Sequence, residues 1–144
     1  MSAKEYLAAR AAEIKDITKR IDRKRERLAR LRSRLTGTAM EVSDMPKGGG
    51  RQDSMQIGVG AVIELQESIT ADINLLAKTQ TDLTEVIGTA KRAEHREVLE
   101  LRYVDGLEWK KIMRKMHYSE DGIYTLHGRA LETVKIPQLH SNTQ

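Results

Sequence analysis

The chain contains no cysteine and no phenylalanine, only two prolines, and five aromatic side chains in all: Tyr6, Tyr103, Trp109, Tyr118 and Tyr124. Without cysteine, neither a disulfide framework nor a thiolate metal site can form. With so few rings and no strand-type alternation, a sandwich or barrel core is excluded. The composition fits a helical protein built on Leu, Ile, Val, Ala and Met. No stretch approaches 18 uncharged apolar residues, so no membrane-spanning helix is expected. The opening MSAKEYLAARAAEIKD is too charged for a signal peptide, and a cytoplasmic protein with no membrane partner is predicted. Enzyme signatures are missing too: no Gly-x-Ser-x-Gly, no His-Glu-x-x-His, no set of ligands at metal spacing. No catalytic activity, cofactor or metal is expected.

What is present is charge, unevenly spread. The net charge of +4 over 144 residues hides +7 in residues 1–36, −5 in 52–90 and +2 in 91–136. Within the first segment, Leu7, Ile14, Ile21, Leu28 and Leu35 repeat at seven-residue intervals. Ile17 and Leu31 supply a second seam position, which Lys24 interrupts. This is coiled-coil spacing, and it predicts a helix over about 3–36 that stops at Gly37. TGTAMEVSDMPKGGGRQDSM follows; Pro46 and Gly48-Gly49-Gly50 predict a flexible linker over 37–53. Nothing around those glycines makes a phosphate loop, since no Gly-Lys-Ser/Thr follows. A second helix is expected over 54–87, ending at Gly88. One of its rows is Val62, Ile69, Leu76 and Leu83, and the neighbouring row is Val59, Ile73 and Ile87, softened by Gln66 and Gln80. Two long helices of opposite charge predict an antiparallel hairpin over 1–90.

Nine Lys and Arg fall between Lys19 and Arg34. Read alone, the run is a nucleic-acid arm. Ile21, Leu28 and Leu31 lie inside it at seam spacing, which makes the charges flanks of a coil facing an acidic partner helix. Both uses are compatible, because the outer face stays free for phosphates.

The last third changes character. EHREVLELRYV predicts a helix with Val98, Leu101 and Tyr103 to Val104 inward, closed by Asp105-Gly106 with Gly106 as a C-terminal cap. Trp109, Ile112, Met113 and Met116 mark a second helix. After the corner at His117-Tyr118, Ser119 can cap a third, with a stripe of Ile123, Leu126, His127, Ala130, Leu131 and Val134. Two short helices around a tight corner, with a support helix before them, predict a helix-turn-helix domain over 91–136 and a tail over 137–144. His127, alone on an apolar face, is expected to be a hydrogen-bonded core residue.

LRYVDGLEWKKIMRKMHYSEDGIYTLHGRAL, residues 101–131, resembles region four of bacterial sigma factors. It is more similar still to phage-encoded sigma-region-four-like regulators of the ArpU and RinA type, which Trp109, Tyr118, Ser119, Tyr124, His127 and Gly128 match. The chain departs from common helix-turn-helix usage at Met113, where Ala is usual, at His117, where Gly is usual, and at Glu108, where Ser or Thr is usual. The resemblance implies a phage or prophage transcription regulator.

On the third helix, Glu120, Asp121, Tyr124, Thr125, Gly128 and Arg129 are expected to face the bases. Lys110, Lys111, Arg114, Lys115 and Ser119 are expected to hold phosphates. The acidic front end has two readings: Glu120 and Asp121 complement the helix dipole, or Glu120 accepts from a cytosine amino group. Tyr124 is expected either to reach the bases or to cover the corner through Tyr118. The leading function is sequence-specific DNA binding in control of phage late genes, by a homodimer joined through the hairpin. The alternatives are the small subunit of a phage terminase and an adaptor acting on RNA polymerase.

Overall fold

The computed structural model describes residues 1–41 and 49–137, with side chains described for 1–37 and 54–137. Within these residues the protein is all-α, as the composition requires. Its elements are α1 (Ala3–Glu41), α2 (Gly49–Gly88), α3 (Ala93–Leu99), a π-helical turn continuing α3 (Glu100–Val104), α4 (Trp109–Met116) and α5 (Glu120–Thr133). No helix among the described residues is long and apolar enough to cross a membrane.

Both long helices run further than their glycines suggested. α1 passes through Gly37 to Glu41, and α2 already includes Gly49 and Gly50. Glycine in a helix costs about 1 kcal/mol relative to alanine, a penalty rather than a prohibition, and tertiary context overrides it. Pro46 lies outside the described residues. At its start, α1 is fixed by a reciprocal cap. Ser2 Oγ accepts from Glu5 N at 3.1 Å, and Ser2 N donates to Glu5 Oε1 at 2.8 Å. The Ser2 N–H first, and the Ser2 hydroxyl next, hold the Glu5 carboxyl below its usual range.

The chain divides into two compact units, one of Asp16–Leu76 and one joining Met1–Lys15 to the chain from Ala77 on. The first turns of α1 and the last of α2 belong with the carboxy-terminal helices, because Leu7, Leu83, Val86 and Ile87 share one buried cluster with Val98, Leu99, Ile112 and Ile123.

In the first unit, α1 and α2 pair within one chain. Ile17, Ile21, Leu28 and Ile69 are buried, with Val62, Leu65 and Leu76 packed against them. Burying such a side chain stabilises by about 1.5–3 kcal/mol. The α1 seam is as expected, but the second row of α2 is not. Val59 and Ile73 stay 48% and 40% exposed, while Leu65 and Asp72 take the inner row. Periodicity located Val62, Ile69 and Leu76 but not which flank of that row turns inward. The charge on α1 settles it, because Asp72 is buried where Lys24 and Arg20 meet it. Lys24 Nζ lies 2.7 Å from Asp72 Oδ2 and 2.6 Å from Ser68 Oγ, and Arg20 donates to both Asp72 oxygens at 3.1 and 3.2 Å. These bonds, Arg20's first and Lys24's next, hold the Asp72 carboxyl below its usual range. The apparent interruption at Lys24 is thus a polar layer that fixes register. Gly58 has its own packing role, since a Cβ there would come within 2.5 Å of Leu35 Cδ2.

In the second unit, Arg96 closes the break between α2 and α3 by donating to the carbonyls of Ala90 and Lys91 at 2.7 and 2.9 Å. Past Leu99 the helix widens: Asp105 N bonds Glu100 O, five residues back, at 2.9 Å. The extra residue rotates the chain beyond it, so Val104 is 37% exposed, contrary to the regular-helix expectation, while Leu99, just before the turn, is fully buried. Gly106 then takes φ +68°, the left-handed conformation its cap position calls for.

Candidate nucleic-acid interface

α4 forms because Trp109, Ile112, Met113 and Met116 line one side and four cations line the other. Ile112 is fully buried, and Lys110, Lys111, Arg114 and Lys115 are all exposed. The helix ends at His117, which adopts φ 61°, ψ 46° and is the sole non-glycine residue with positive φ among those described. A left-handed histidine carries a strain of order 1 kcal/mol, here offset by the bond of Tyr118 N to Met113 O at 3.0 Å. Ser119 then caps α5, its Oγ accepting from Gly122 N at 3.1 Å.

The stripe expected inside α5 is inside: Ile123, Leu126, His127 and Ala130 are buried, and so is Val134 just beyond the helix. Around it, Glu120, Asp121, Tyr124, Thr125, Gly128 and Arg129 are all exposed. Four-residue spacing sorts them into two adjacent rows, Glu120–Tyr124–Gly128 and Asp121–Thr125–Arg129. The second row borders a groove that Arg92, Glu94 and Tyr118 complete. Tyr118 does not reach Tyr124; its hydroxyl donates to Glu94 Oε2 at 2.8 Å.

Tyr124 is instead held by Trp109, edge-on with ring centroids 5.2 Å apart. Trp109 also meets His127 at 4.8 Å, and the Arg102 guanidinium lies 4.7 Å above the indole. Arg102 anchors the preceding loop as well, donating to Leu107 O at 3.0 Å. His127 is the hydrogen-bonded core residue it was expected to be, its Nε2 2.9 Å from the Tyr103 hydroxyl. Burial, followed by the charges of Lys4 and Arg102, lowers its pKa to about 4. It is therefore a neutral imidazole at physiological pH.

Residues 34–135 match the family described as a protein of unknown function, DUF1492. The chain belongs to that family. The match takes in the end of α1 and all of α2 to α5, so this DUF1492 member carries both the exposed rows of α5 and most of the hairpin inside the family's bounds. No curated protein and no solved structure matches it.

The residues of the two rows and the four cations of α4 are exposed, as the helical spacing predicts. The spacing does not mark Arg92, which borders the groove beside Thr125 and Arg129, or Arg102, which stacks on Trp109. Neither carries a local signal, because each is brought in by tertiary packing.

Proposed function

We propose that the chain is a sequence-specific duplex-DNA-binding regulator of transcription, of the sigma-region-four-like kind that controls phage or prophage late genes. α5 is the reading helix and α4 the phosphate anchor. The observation that carries this reading is the pair of exposed rows on α5, beside an α4 whose four cations all face solvent. Thr125 and Arg129 have the donors that major-groove base edges accept. Gly128, with nothing within 4 Å of where a Cβ would stand, leaves room for close approach. The cations of α4 suit phosphates, which position a helix without reading sequence.

A homodimer joined through the hairpin goes with this function. Val59, Ile63 and Ile73, 40% to 49% exposed on one side of α2, give it an apolar stripe that its own α1 leaves uncovered. A second reading, an adaptor docking on RNA polymerase, draws on the exposed acids Glu120 and Asp121 at the front of α5.

The test is selection of binding sites from a random duplex library, using the full chain and its Glu120→Gln, Thr125→Ala and Arg129→Ala variants. Loss of Thr125 or Arg129 is expected to relax preference at a base pair by about 1–3 kcal/mol. If no variant changes the selected sequence, α5 does not read bases, and the adaptor takes first place.

A further inference from the structure

The basic run of α1 faces two ways. Arg20 and Lys24 turn toward α2 and pair with Asp72. The other seven of the nine Lys and Arg between Lys19 and Arg34 are exposed, and none forms an ion pair with a described residue. Five of them, Lys19, Arg23, Arg27, Arg30 and Arg34, follow one another at spacings of four, four, three and four. That spacing puts them on one exposed side of α1, about a third of a turn from the seam of Ile17, Ile21 and Leu28. The acidic partner helix therefore neutralises the inner cations only. The outer five form a ridge about 22 Å long, at 1.5 Å of rise per residue.

We propose that this ridge is a second, sequence-independent surface for the phosphate backbone of duplex DNA; it rests on the reading of the chain as a duplex-DNA binder. The chemistry favours a duplex over the other polyanions. The unit Asp16–Leu76 contains no aromatic residue, so it offers unpaired bases no ring to stack on. The apolar side of α1 is closed against α2, so the helix that carries the ridge has no free hydrophobic face of its own to enter a lipid interface. A row of four guanidinium groups and one ammonium suits a duplex, which presents one negative charge per roughly 1.7 Å of its axis, about a dozen along the ridge. Arginine is also the cation whose fork pairs phosphate oxygens two at a time.

The experiment is fluorescence anisotropy of a labelled random-sequence DNA duplex with the full chain, from 50 to 200 mM salt. The partners are the Arg23→Gln/Arg27→Gln/Arg30→Gln variant and, should that variant melt early, the Lys19→Gln/Arg34→Gln variant. At about 0.9 per phosphate contact, the salt slope should fall by about 2.7 for the triple change and about 1.8 for the double. Affinity for every duplex sequence should drop at least tenfold with the triple change, while helicity is retained. Unchanged affinity and slope in a folded variant overturn the proposal. So does a loss confined to duplex RNA or to phosphatidylserine vesicles run in parallel. Failure of the function proposed above looks different. The Thr125 and Arg129 variants would then leave sequence preference untouched, while the ridge variants would still lower the slope uniformly.

Discussion

Acidification between pH 7 and pH 5 should destabilise the unit that holds α5, and His127 should be the main cause. In the folded chain its pKa is about 4, against 6.5 for an unperturbed histidine. Between those values the unfolded chain takes up a proton that the folded chain refuses, so stability falls as pH falls through 6.5. The two pKa values give a loss of about 2 kcal/mol on going from pH 7 to pH 5. The assay is urea unfolding at pH 7, 6 and 5, followed by fluorescence of Trp109, the single tryptophan, whose ring lies 4.8 Å from that of His127. His127→Gln keeps a polar partner for the Tyr103 hydroxyl but does not titrate, so its stability should vary far less over this range. Its absolute stability at pH 7 is irrelevant to the comparison, because only the two slopes are compared. Parallel slopes for the parent chain and the variant would refute the reasoning.

The polar layer gives a paired expectation. Asp72→Ala should lower thermal stability by about 1–2 kcal/mol, since Lys24 and Arg20 lose their carboxylate, whereas Lys24→Leu with Asp72→Leu should be neutral or stabilising by circular dichroism. Lys111→Ala and Arg114→Ala should weaken binding to all DNA sequences alike, each lowering the salt slope by about one. A change of sequence preference at constant slope would mean that α4 does not lie over the backbone. Ile63→Glu should shift a dimer to monomer in light scattering while helicity stays constant, because Ile63 is 49% exposed and not part of the buried seam.

How much of this was legible in the residues depended on whether a feature is local. The α1 seam could be read because every member recurs after seven positions, and the α5 stripe because it keeps the full helical spacing. Even His117 could be read, since a two-helix corner needs one left-handed residue wherever it falls. What escaped reading involved a choice between equal neighbours. Leu65–Asp72 and Val59–Ile73 flank the same row of α2, and apolar count favours the wrong pair. Only the position of Lys24 across the seam decides for Asp72, and in the sequence of α1 Lys24 reads as an interruption of the seam. Val104 turns outward for another reason: a π-helical turn adds about one residue per turn, and nothing in ELRYV marks it. At the site, the members of each row were legible but not their fixings, since the Arg102–Trp109–Tyr124 stack joins three elements across a loop.

The acids at the front of α5 can now be separated. Ser119 already supplies the side-chain cap, so neither Glu120 nor Asp121 is needed to satisfy a backbone N–H there. What remains for both is the helix dipole, worth about 0.3–1 kcal/mol for an exposed carboxylate. Beyond that their surroundings differ. Asp121 borders the groove that holds Arg92 and Arg129, where its charge opposes theirs and, if the proposed DNA binding holds, would moderate attraction to phosphate. Glu120 leads the other row, toward a Tyr124 that Trp109 holds in place and a Gly128 that leaves open space. A carboxylate ahead of a fixed ring and an open backbone is the better placed of the two to accept from a cytosine amino group. Of the two acids, then, Glu120 is the one whose replacement by glutamine should change which sequence is chosen, and Asp121 the one whose replacement by asparagine should raise affinity for all sequences together.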